Sequence, residues 1–210
     1  MKISKSGLAI LLSRLSQFES PKPAIEQYAT DSETAAEALW LAAMHSDIQE
    51  KSVADLGCGT GVLGIGALLL GAARVFFVDI DKDALKVLKE NIQTAEKLSG
   101  EALTERAEII NSGISELTIR ADTVLENPPF GVQKSHADRG FLEKAFETAP
   151  VVYSIHKAES DTFINKFSAS HRFRITNHLE FELPIRRSMP HHSRRIHRFR
   201  AGLWRMEKSI

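Results

Sequence analysis

The fold is decided by the stretch Asp55-Leu56-Gly57-Cys58-Gly59-Thr60-Gly61. A short apolar run at 53–56 precedes the glycines, and a helical pattern at 62–70 follows them. Glycines at such a junction permit a tight turn and let a ligand approach the backbone closely. The stretch therefore predicts a strand, a ligand-binding turn and a helix; the alternative is an ordinary strand-to-helix turn without a ligand.

The rest of the chain alternates between apolar strand patterns and amphipathic helix patterns. Strands are predicted at 53–56, 74–78, 107–110, 123–125 and 151–155, and helices at 62–70, 82–95, 138–149 and 158–169. Apolar strands separated by helices predict a parallel sheet that is covered on both faces. Two final strands, at 172–183 and 196–206, lack a helix between them and predict an antiparallel hairpin. The predicted fold class is a single α/β, Rossmann-like domain with a seven-stranded, mostly parallel sheet.

Two helices are predicted upstream of this sheet. An apolar stripe predicts a helix over 6–18, which the segment Ser20-Pro21-Lys22-Pro23 ends. Asp31 is the predicted N-cap of a second helix, which runs to about residue 45. The predicted domain organisation is an N-terminal helical extension at 1–24 and a main domain at 25–210.

Composition bounds the class of protein. The chain has 210 residues, of which 43% are hydrophobic and 26% are charged, so it has enough apolar side chain for a sizeable core. The single cysteine, Cys58, excludes a disulfide and a cysteine-based zinc site within the chain. No run approaches the length of a membrane span, and the N-terminus lacks a convincing signal-peptide cleavage site. We expect a cytoplasmic protein without a resident metal.

The formal net charge of zero conceals an asymmetry. Residues 171–210 contain ten Lys or Arg and three acidic residues, whereas residues 1–170 contain seventeen and twenty-four. The neutral average is therefore compatible with a polyanionic partner that binds the basic end.

Asp79 stands at the tip of the second predicted strand, eighteen residues after Gly61. A carboxylate there can accept hydrogen bonds from both ribose hydroxyls of a nucleoside ligand. The dinucleotide pattern G-x-G-x-x-G is not met, because position 62 is Val. The loop instead resembles the first motif of class I S-adenosylmethionine-dependent methyltransferases. That resemblance implies that the cofactor is held by Asp55, Gly57, Gly59, Thr60, Gly61, Val62 and Asp79, with adenine near Gly113 and Ile114.

The motif Asn127-Pro128-Pro129-Phe130 follows the fourth predicted strand, where open α/β sheets bind ligands. Two prolines stiffen the backbone, so the Asn127 side-chain oxygen and the Pro128 carbonyl can each accept one hydrogen of an amino group. Phe130 offers a flat face for a planar substrate. The motif resembles that of methyltransferases of adenine N6, cytosine N4 or the glutamine amide, although Asn-Pro-Pro can also be a simple turn. Cytosine-C5 methylation is disfavoured, because the cysteine that it requires is absent from this region.

Taken in order, E-Q-Y-x-T at 26–30, the glycine loop, the Asn127 motif and Y-S-I-H-K at 153–157 resemble the methyltransferase-like protein 5 family. This archaeal and eukaryotic family methylates adenine N6 of small-subunit ribosomal RNA. The resemblance implies that Gln27 and Thr30 close over the cofactor, that Tyr28 shapes the base pocket, and that Lys157 contacts substrate. It also implies a small zinc-binding activator protein, which pairs with the edge of the sheet at the third strand to form a heterodimer.

The basic segment 186–198 is the candidate RNA surface. Guanidinium groups bind phosphates bidentately, so Arg186, Arg187, Arg194 and Arg195 are expected to contact RNA. The sequence leaves open whether this segment emerges at the carboxyl end of the sheet or beside it. A paired adenine cannot enter the site, so the target must be unpaired or flipped.

Two other functions remain open from sequence. A protein glutamine-amide N5-methyltransferase shares the Asn-Pro-Pro signature, but its relatives usually end the motif with tyrosine and carry a larger helical N-terminal domain. A catalytically silent RNA-binding module would share the fold, although the intact glycine loop, Asp79 and Asn127 disfavour it.

Overall fold

A computed structural model of the chain describes residues 3–18, 21–22, 27, 30–129, 137–185 and 197–209. The helices are α1 (Lys5–Leu12), α2 (Ser32–Met44), α3 (Val62–Leu69), α4 (Lys82–Ser99), α5 (Ala137–Thr148) and α6 (Asp161–Ser170). The strands are β1 (Ser52–Leu56), β2 (Arg74–Asp79), β3 (Ala107–Asn111), β4 (Thr123–Glu126), β5 (Val151–Lys157), β6 (Phe173–Ile185) and β7 (His197–Lys208). Asp31 caps α2, because its side chain accepts hydrogen bonds from the backbone N–H groups of Glu33 and Thr34.

The seven strands form one sheet in the order β3-β2-β1-β4-β5-β7-β6. The first five strands in this order are parallel, and β7 is antiparallel to both β5 and β6. The predicted fold class, including its C-terminal hairpin, is therefore confirmed. Strand order reverses direction between β1 and β4, so the carboxyl ends of these two strands flank the crevice where such sheets bind ligands.

The pairing register settles the direction of the hairpin, which the sequence left open. Lys157, the last residue of β5, pairs with Ala201, and the hairpin continues beyond that point to the pair Ile185–His197. The ends of β6 and β7 that flank residues 186–196 therefore lie beyond the carboxyl end of β5. β4 ends at this same edge of the sheet, and Asn127 follows it directly.

The prediction of a helix over 6–18 is wrong beyond Leu12. Ser13 ends α1, and its hydroxyl donates to the carbonyl of Ile10 at 2.7 Å. The backbone N–H of Ser16 donates to the Asn91 side-chain oxygen on α4 at 2.7 Å, so it is not available to continue the helix. Leu8 and Leu12 are nevertheless fully buried, and they join the core that α2, α3 and α4 form on one face of the sheet. A second apolar cluster contains residues of α5 and α6. Within the described part of the chain, no helix is long and apolar enough to cross a membrane.

Helix α3 packs close to the sheet because Gly64 has no side chain. A Cβ atom at this position would lie 2.3 Å from Cε1 of the buried Phe77 ring on β2. Gly140 on α5 is the control position, because no atom of the described residues lies within 4 Å of the place that its Cβ would take.

We expect Gly64→Ala to lower the free energy of unfolding by about 2 kcal/mol, because the ring and the helix must separate. The control Gly140→Ala should be neutral or stabilising by up to about 1 kcal/mol, since alanine favours a helix. Urea unfolding of both variants measures the difference. Equal stability of the two variants would contradict the close packing of α3.

Candidate active site

The glycine loop after β1 is fixed by hydrogen bonds to the neighbouring strand β2. The backbone N–H groups of Gly57 and Cys58 donate to the carbonyl of Val78, at 2.8 and 3.0 Å. The Gly59 N–H donates to Oδ2 of Asp79 at 2.8 Å. Gly61 has a φ of +91°, and a Cβ atom there would lie 2.2 Å from Cδ1 of Leu88 on α4. Glycine is therefore required at this position both by the backbone conformation and by the available space.

Asp55 holds the first turn of α3 against the end of β1. Its carboxylate is buried and accepts a hydrogen bond from the Gly64 N–H at 2.8 Å, which satisfies one of the unpaired donors of that turn. Burial raises the pKa of Asp55 to about 7, against the opposing effect of this hydrogen bond. Asp55 thus positions the loop, and it also lines the cavity described below.

Asp79, at the end of β2, retains capacity to bind a ligand. Oδ2 accepts from the Gly59 N–H, and Oδ1 accepts from the Asp81 N–H at 2.8 Å. A carboxylate has about four acceptor positions, so each oxygen can accept another hydrogen bond. Burial raises the pKa of Asp79. The arrangement suits the predicted interaction with two ribose hydroxyls.

A cavity of about 360 Å³, measured with its open mouth, lies over the glycine loop. Seven of the predicted site residues line it: Thr30, Asp55, Gly57, Gly59, Thr60, Val62 and Asn127. The other lining residues are Phe18, Cys58 and Leu63.

Asn127 follows β4 and lies on the opposite side of the crevice from β2. Its Nδ2 donates to Oγ1 of Thr30 at 2.8 Å. Its Oδ1 is buried and has no hydrogen-bond partner among the described residues. Because Thr30 engages the amide nitrogen, the amide oxygen is left for a ligand. A buried acceptor without a partner is costly, so this oxygen marks a position that substrate can fill.

A buried polar group lies directly before this asparagine. The Ser154 hydroxyl donates to Oε1 of Glu126 at 2.7 Å and lies 2.6 Å from Nε2 of His156. Oε2 of Glu126 has no partner within the described ranges. Burial raises the pKa of Glu126 to about 8 and lowers that of His156 to about 3. At neutral pH, Glu126 is therefore mainly protonated and His156 is neutral. The structure places His156 inside the fold and not on its surface.

The remaining predicted residues are not among those that line the cavity, and six of them lie outside the described part of the chain. Gln27 donates from Nε2 to Asp81 at 2.6 Å, while Gly113 and Ile114 follow the end of β3. Lys157 is half-buried at the carboxyl end of β5. Pro128 is buried and Pro129 is half-buried after β4, and Gly61 precedes α3. Outside the described residues lie Tyr28, Phe130, Arg186, Arg187, Arg194 and Arg195.

The cysteine of the loop is a packing residue. Cys58 is buried, and burial raises the pKa of its thiol well above the ordinary value, with Asp55 and Asp79 adding to the effect. A thiol in this state is a poor nucleophile. Among the residues that the structure describes, no group of three His, Cys, Asp or Glu side chains could hold a metal ion.

Two residues near the cavity were missed by the sequence reasoning. Phe18 lines the cavity, although the sequence places it on the apolar stripe of the first helix. Asn91 is 1% exposed and bonds both to Ser16 and to the Thr60 carbonyl. Asn91 lies three positions after Leu88, on the apolar face of α4. A polar residue on that face was the signal in the sequence that could have identified it.

The sheet order, the glycine loop and the Asn127 motif define a class I methyltransferase domain, which takes S-adenosylmethionine as its methyl donor. A family model described as "Methyltransferase small domain" matches residues 27–154. The rRNA N(6)-adenosine-methyltransferase METTL5 of Danio rerio is 36% identical over 82% of this chain and 84% of its own length. The chain therefore belongs to the METTL5 family of methyltransferases, and the predictions of enzyme class and cofactor are confirmed.

Solved structures support the same assignment of the fold. A crystal structure of PH1948 from Pyrococcus horikoshii, a protein proposed to be an RNA methyltransferase, is 45% identical and superimposes with a TM-score of 0.88, covering 98% of each chain. The magnesium protoporphyrin IX methyltransferase ChlM from Synechocystis PCC 6803, solved with bound S-adenosylmethionine, has a TM-score of 0.65 at 15% identity. The superposition covers 84% of this chain and 79% of ChlM, and the two proteins share the fold.

The raised pKa of Glu126 makes the free energy of unfolding depend on pH. Its reference value is 4.5, and in the folded chain it is about 8. The folded chain therefore retains a proton that the unfolded chain releases between these values. The contribution of Glu126 to stability is fully present below pH 4.5 and is lost as the pH rises through 8.

Between pH 5.5 and 8.5, titration of Glu126 should lower the free energy of unfolding of the unmodified protein by about 3 kcal/mol, and Glu126→Gln should lack this loss. Urea unfolding at the two pH values measures this difference. The exposed Glu116→Gln is the control and should keep the pH dependence of the unmodified chain. If Glu126→Gln also keeps it, then Glu126 does not carry a raised pKa.

Proposed function

We propose that this enzyme transfers a methyl group from S-adenosylmethionine to the N6 amino group of an unpaired or flipped adenine in structured RNA, with small-subunit ribosomal RNA as the substrate. The observation that carries the proposal is the Asn127 side-chain oxygen, which is buried without a partner in the described chain while Thr30 holds the amide nitrogen. The name of the Danio rerio relative, an rRNA N(6)-adenosine methyltransferase, supports the choice of adenine.

In the proposal, the cofactor is held by residues that follow β1, β2 and β3. Asp79 accepts hydrogen bonds from the ribose hydroxyls. The loop residues that enclose the methionine part of the ligand are Gly57, Gly59, Thr60 and Val62. Gly113 and Ile114 lie beside the end of β2, because the Ser112 N–H donates to the Asp79 carbonyl at 3.1 Å. This position suits contact with the adenine of the cofactor. The bound cofactor supplies a methyl group on a positively charged sulfur.

The residues after β4 prepare the amino nitrogen for attack on this methyl group. The lone pair of an exocyclic amine is delocalised into the ring, so the nitrogen is a weak nucleophile. Oδ1 of Asn127 accepts one amino hydrogen and the Pro128 carbonyl accepts the other, which directs the lone pair out of the ring plane towards the methyl carbon. The same acceptors stabilise the positive charge that develops on nitrogen. In the proposal, Phe130 stacks on the base, and Tyr28 shapes its pocket.

The described ends of β6 and β7 lie at the same edge of the sheet as Asn127. The register of the hairpin brings the ends of β6 and β7 to this edge, and the basic segment 186–196 joins them. Lys157 ends β5 there as well. In the proposal, Lys157, Arg186, Arg187, Arg194 and Arg195 contact RNA phosphates and orient the target adenine.

A small zinc-binding activator protein is part of the proposal, and it pairs with the free edge of β3. This strand is one of the two edges of the sheet, and Ile109 and Ile110 are only partly buried. Ile80, next to the end of β2, is 66% exposed. A partner strand would pair with the open backbone groups of β3 and cover this apolar surface.

The decisive experiment supplies labelled S-adenosylmethionine and small-subunit ribosomal RNA, with and without a candidate activator, and then digests the RNA to nucleosides. We expect label in N6-methyladenosine. Asn127→Ala should abolish the transfer and leave the binding of S-adenosylhomocysteine nearly unchanged, because its oxygen acts on the substrate. Label in protein and never in N6-methyladenosine would overturn the proposal in favour of a glutamine-amide methyltransferase. No transfer to either would favour a silent binding module.

Thr30 provides a finer test, because its hydroxyl oxygen fixes the orientation of the Asn127 amide. We expect Thr30→Val, which keeps the shape and removes the acceptor, to lower kcat about tenfold with little change in S-adenosylhomocysteine affinity. Thr30→Ser keeps the hydroxyl and should retain most of the activity. Equal losses in both variants, or a loss of cofactor affinity that accounts for the whole effect, would contradict the positioning role.

A further inference from the structure

The segment that follows α1 is tied to the glycine loop by a single buried side chain. Asn91 on α4 accepts a hydrogen bond from the Ser16 N–H at 2.7 Å and donates from Nδ2 to the Ser16 carbonyl at 2.9 Å. The same Nδ2 donates to the Thr60 carbonyl at 2.9 Å. A buried amide with both functions engaged has little rotational freedom. We call residues 13–18 and 21–22 the strap; Asn91 joins the strap to the cofactor loop.

A second attachment lies further along the strap. Lys22 contacts Asp81 through Nζ at 2.6 Å, and Gln27 donates to the other oxygen of the same carboxylate at 2.6 Å. Asp81 follows the ribose-binding candidate Asp79 by two residues and caps the N-terminus of α4. Ser16 and Lys22 of the strap are therefore both held from α4, by Asn91 on the helix and by its N-cap Asp81.

Between these attachments, the strap places the Phe18 ring on the glycine loop. A Cβ atom at Gly59 would lie 2.7 Å from Cζ of Phe18, so the ring rests directly on the glycine backbone. Leu15, three residues earlier, is buried in the core and limits the movement of the chain. Phe18 lines the cavity together with Gly59 and Thr60 of the loop. The ring therefore forms one wall of the cavity.

We propose that Phe18 is a cofactor-binding residue, a wall of the S-adenosylmethionine pocket, and that Asn91 is the positioning residue that holds it there through Ser16. The inference rests on the methyl-donor part of the proposed function and is independent of the RNA substrate. Apolar contact with Phe18 removes part of the ligand from water, and the bonds of Asn91 reduce the entropy that the strap would lose when the ligand binds.

The test of the wall is the affinity for S-adenosylhomocysteine, measured by titration calorimetry without RNA. We expect Phe18→Ala to weaken binding about tenfold, because the contact surface is lost. The control Ile10→Ala removes an exposed side chain of the same N-terminal region, 61% accessible, and should bind like the unmodified protein. Unchanged affinity of Phe18→Ala would overturn the inference, and tighter binding would mean that the ring obstructs the site.

The test of Asn91 is a double-mutant cycle, which separates its two attachments. If Asn91 acts through Phe18, Asn91→Ala should weaken binding several-fold in the unmodified chain and hardly at all in the Phe18→Ala background. Equal effects in both backgrounds would mean that Asn91 acts through Thr60 alone, which overturns its role as the positioning residue for Phe18.

Hydrogen exchange provides a readout that does not need ligand. We expect Asn91→Ala to accelerate exchange of the Ser16 backbone N–H, while Phe18→Ala leaves it protected, since that hydrogen bond is retained. Unaltered Ser16 protection in Asn91→Ala would overturn the proposed attachment. A failure of the unmodified protein to bind S-adenosylhomocysteine would instead overturn the donor assignment, so the two failures are distinguishable.

Discussion

The glycine loop after β1 is hydrogen-bonded to β2 and to α4, and this constraint organises the whole site. Two of its N–H groups reach the Val78 carbonyl, and a third reaches the Asp79 carboxylate. Asp55 holds the helix that follows the loop, and Asn91 holds the Thr60 carbonyl from α4. Because its backbone is fixed in this way, the loop is already ordered before a ligand binds. Binding therefore requires little further loss of conformational entropy in the loop.

The same constraint separates the two chemical tasks across the crevice between β1 and β4. The side that contains β2 supplies the partly buried carboxylate of Asp79 and glycine backbone, which suit a nucleoside. The side that contains β4 supplies an amide whose nitrogen is already engaged by Thr30 and whose oxygen is open to substrate. Glu126 precedes this amide with a raised pKa, so the neighbouring buried group is uncharged at neutral pH.

Local patterns were sufficient to predict the strands, most helices, the sheet and the positions of Asp79 and Asn127, because each depends on periodicity or on a motif at a strand end. Relations between distant segments were not predictable in this way. The helix at 6–18 was predicted too long, since Asn91, which is 75 residues away from Ser16, takes the N–H that would have continued it. The direction of the hairpin followed only from the register of β5 with β7. Thr30 was assigned to the cofactor through family resemblance, and its bond to Asn127 became visible only in the fold.

The central claim is that a single preformed crevice presents the donor's methyl group to an amino nitrogen held by Asn127. A crystal structure with S-adenosylhomocysteine and adenosine, soaked together, tests it most directly. The account expects the cofactor ribose on Asp79, the Thr30–Asn127 hydrogen bond intact, and Oδ1 of Asn127 within hydrogen-bond distance of the adenosine N6. A cofactor bound away from Asp79, or an Asn127 amide turned so that its nitrogen faces the base, would contradict the account.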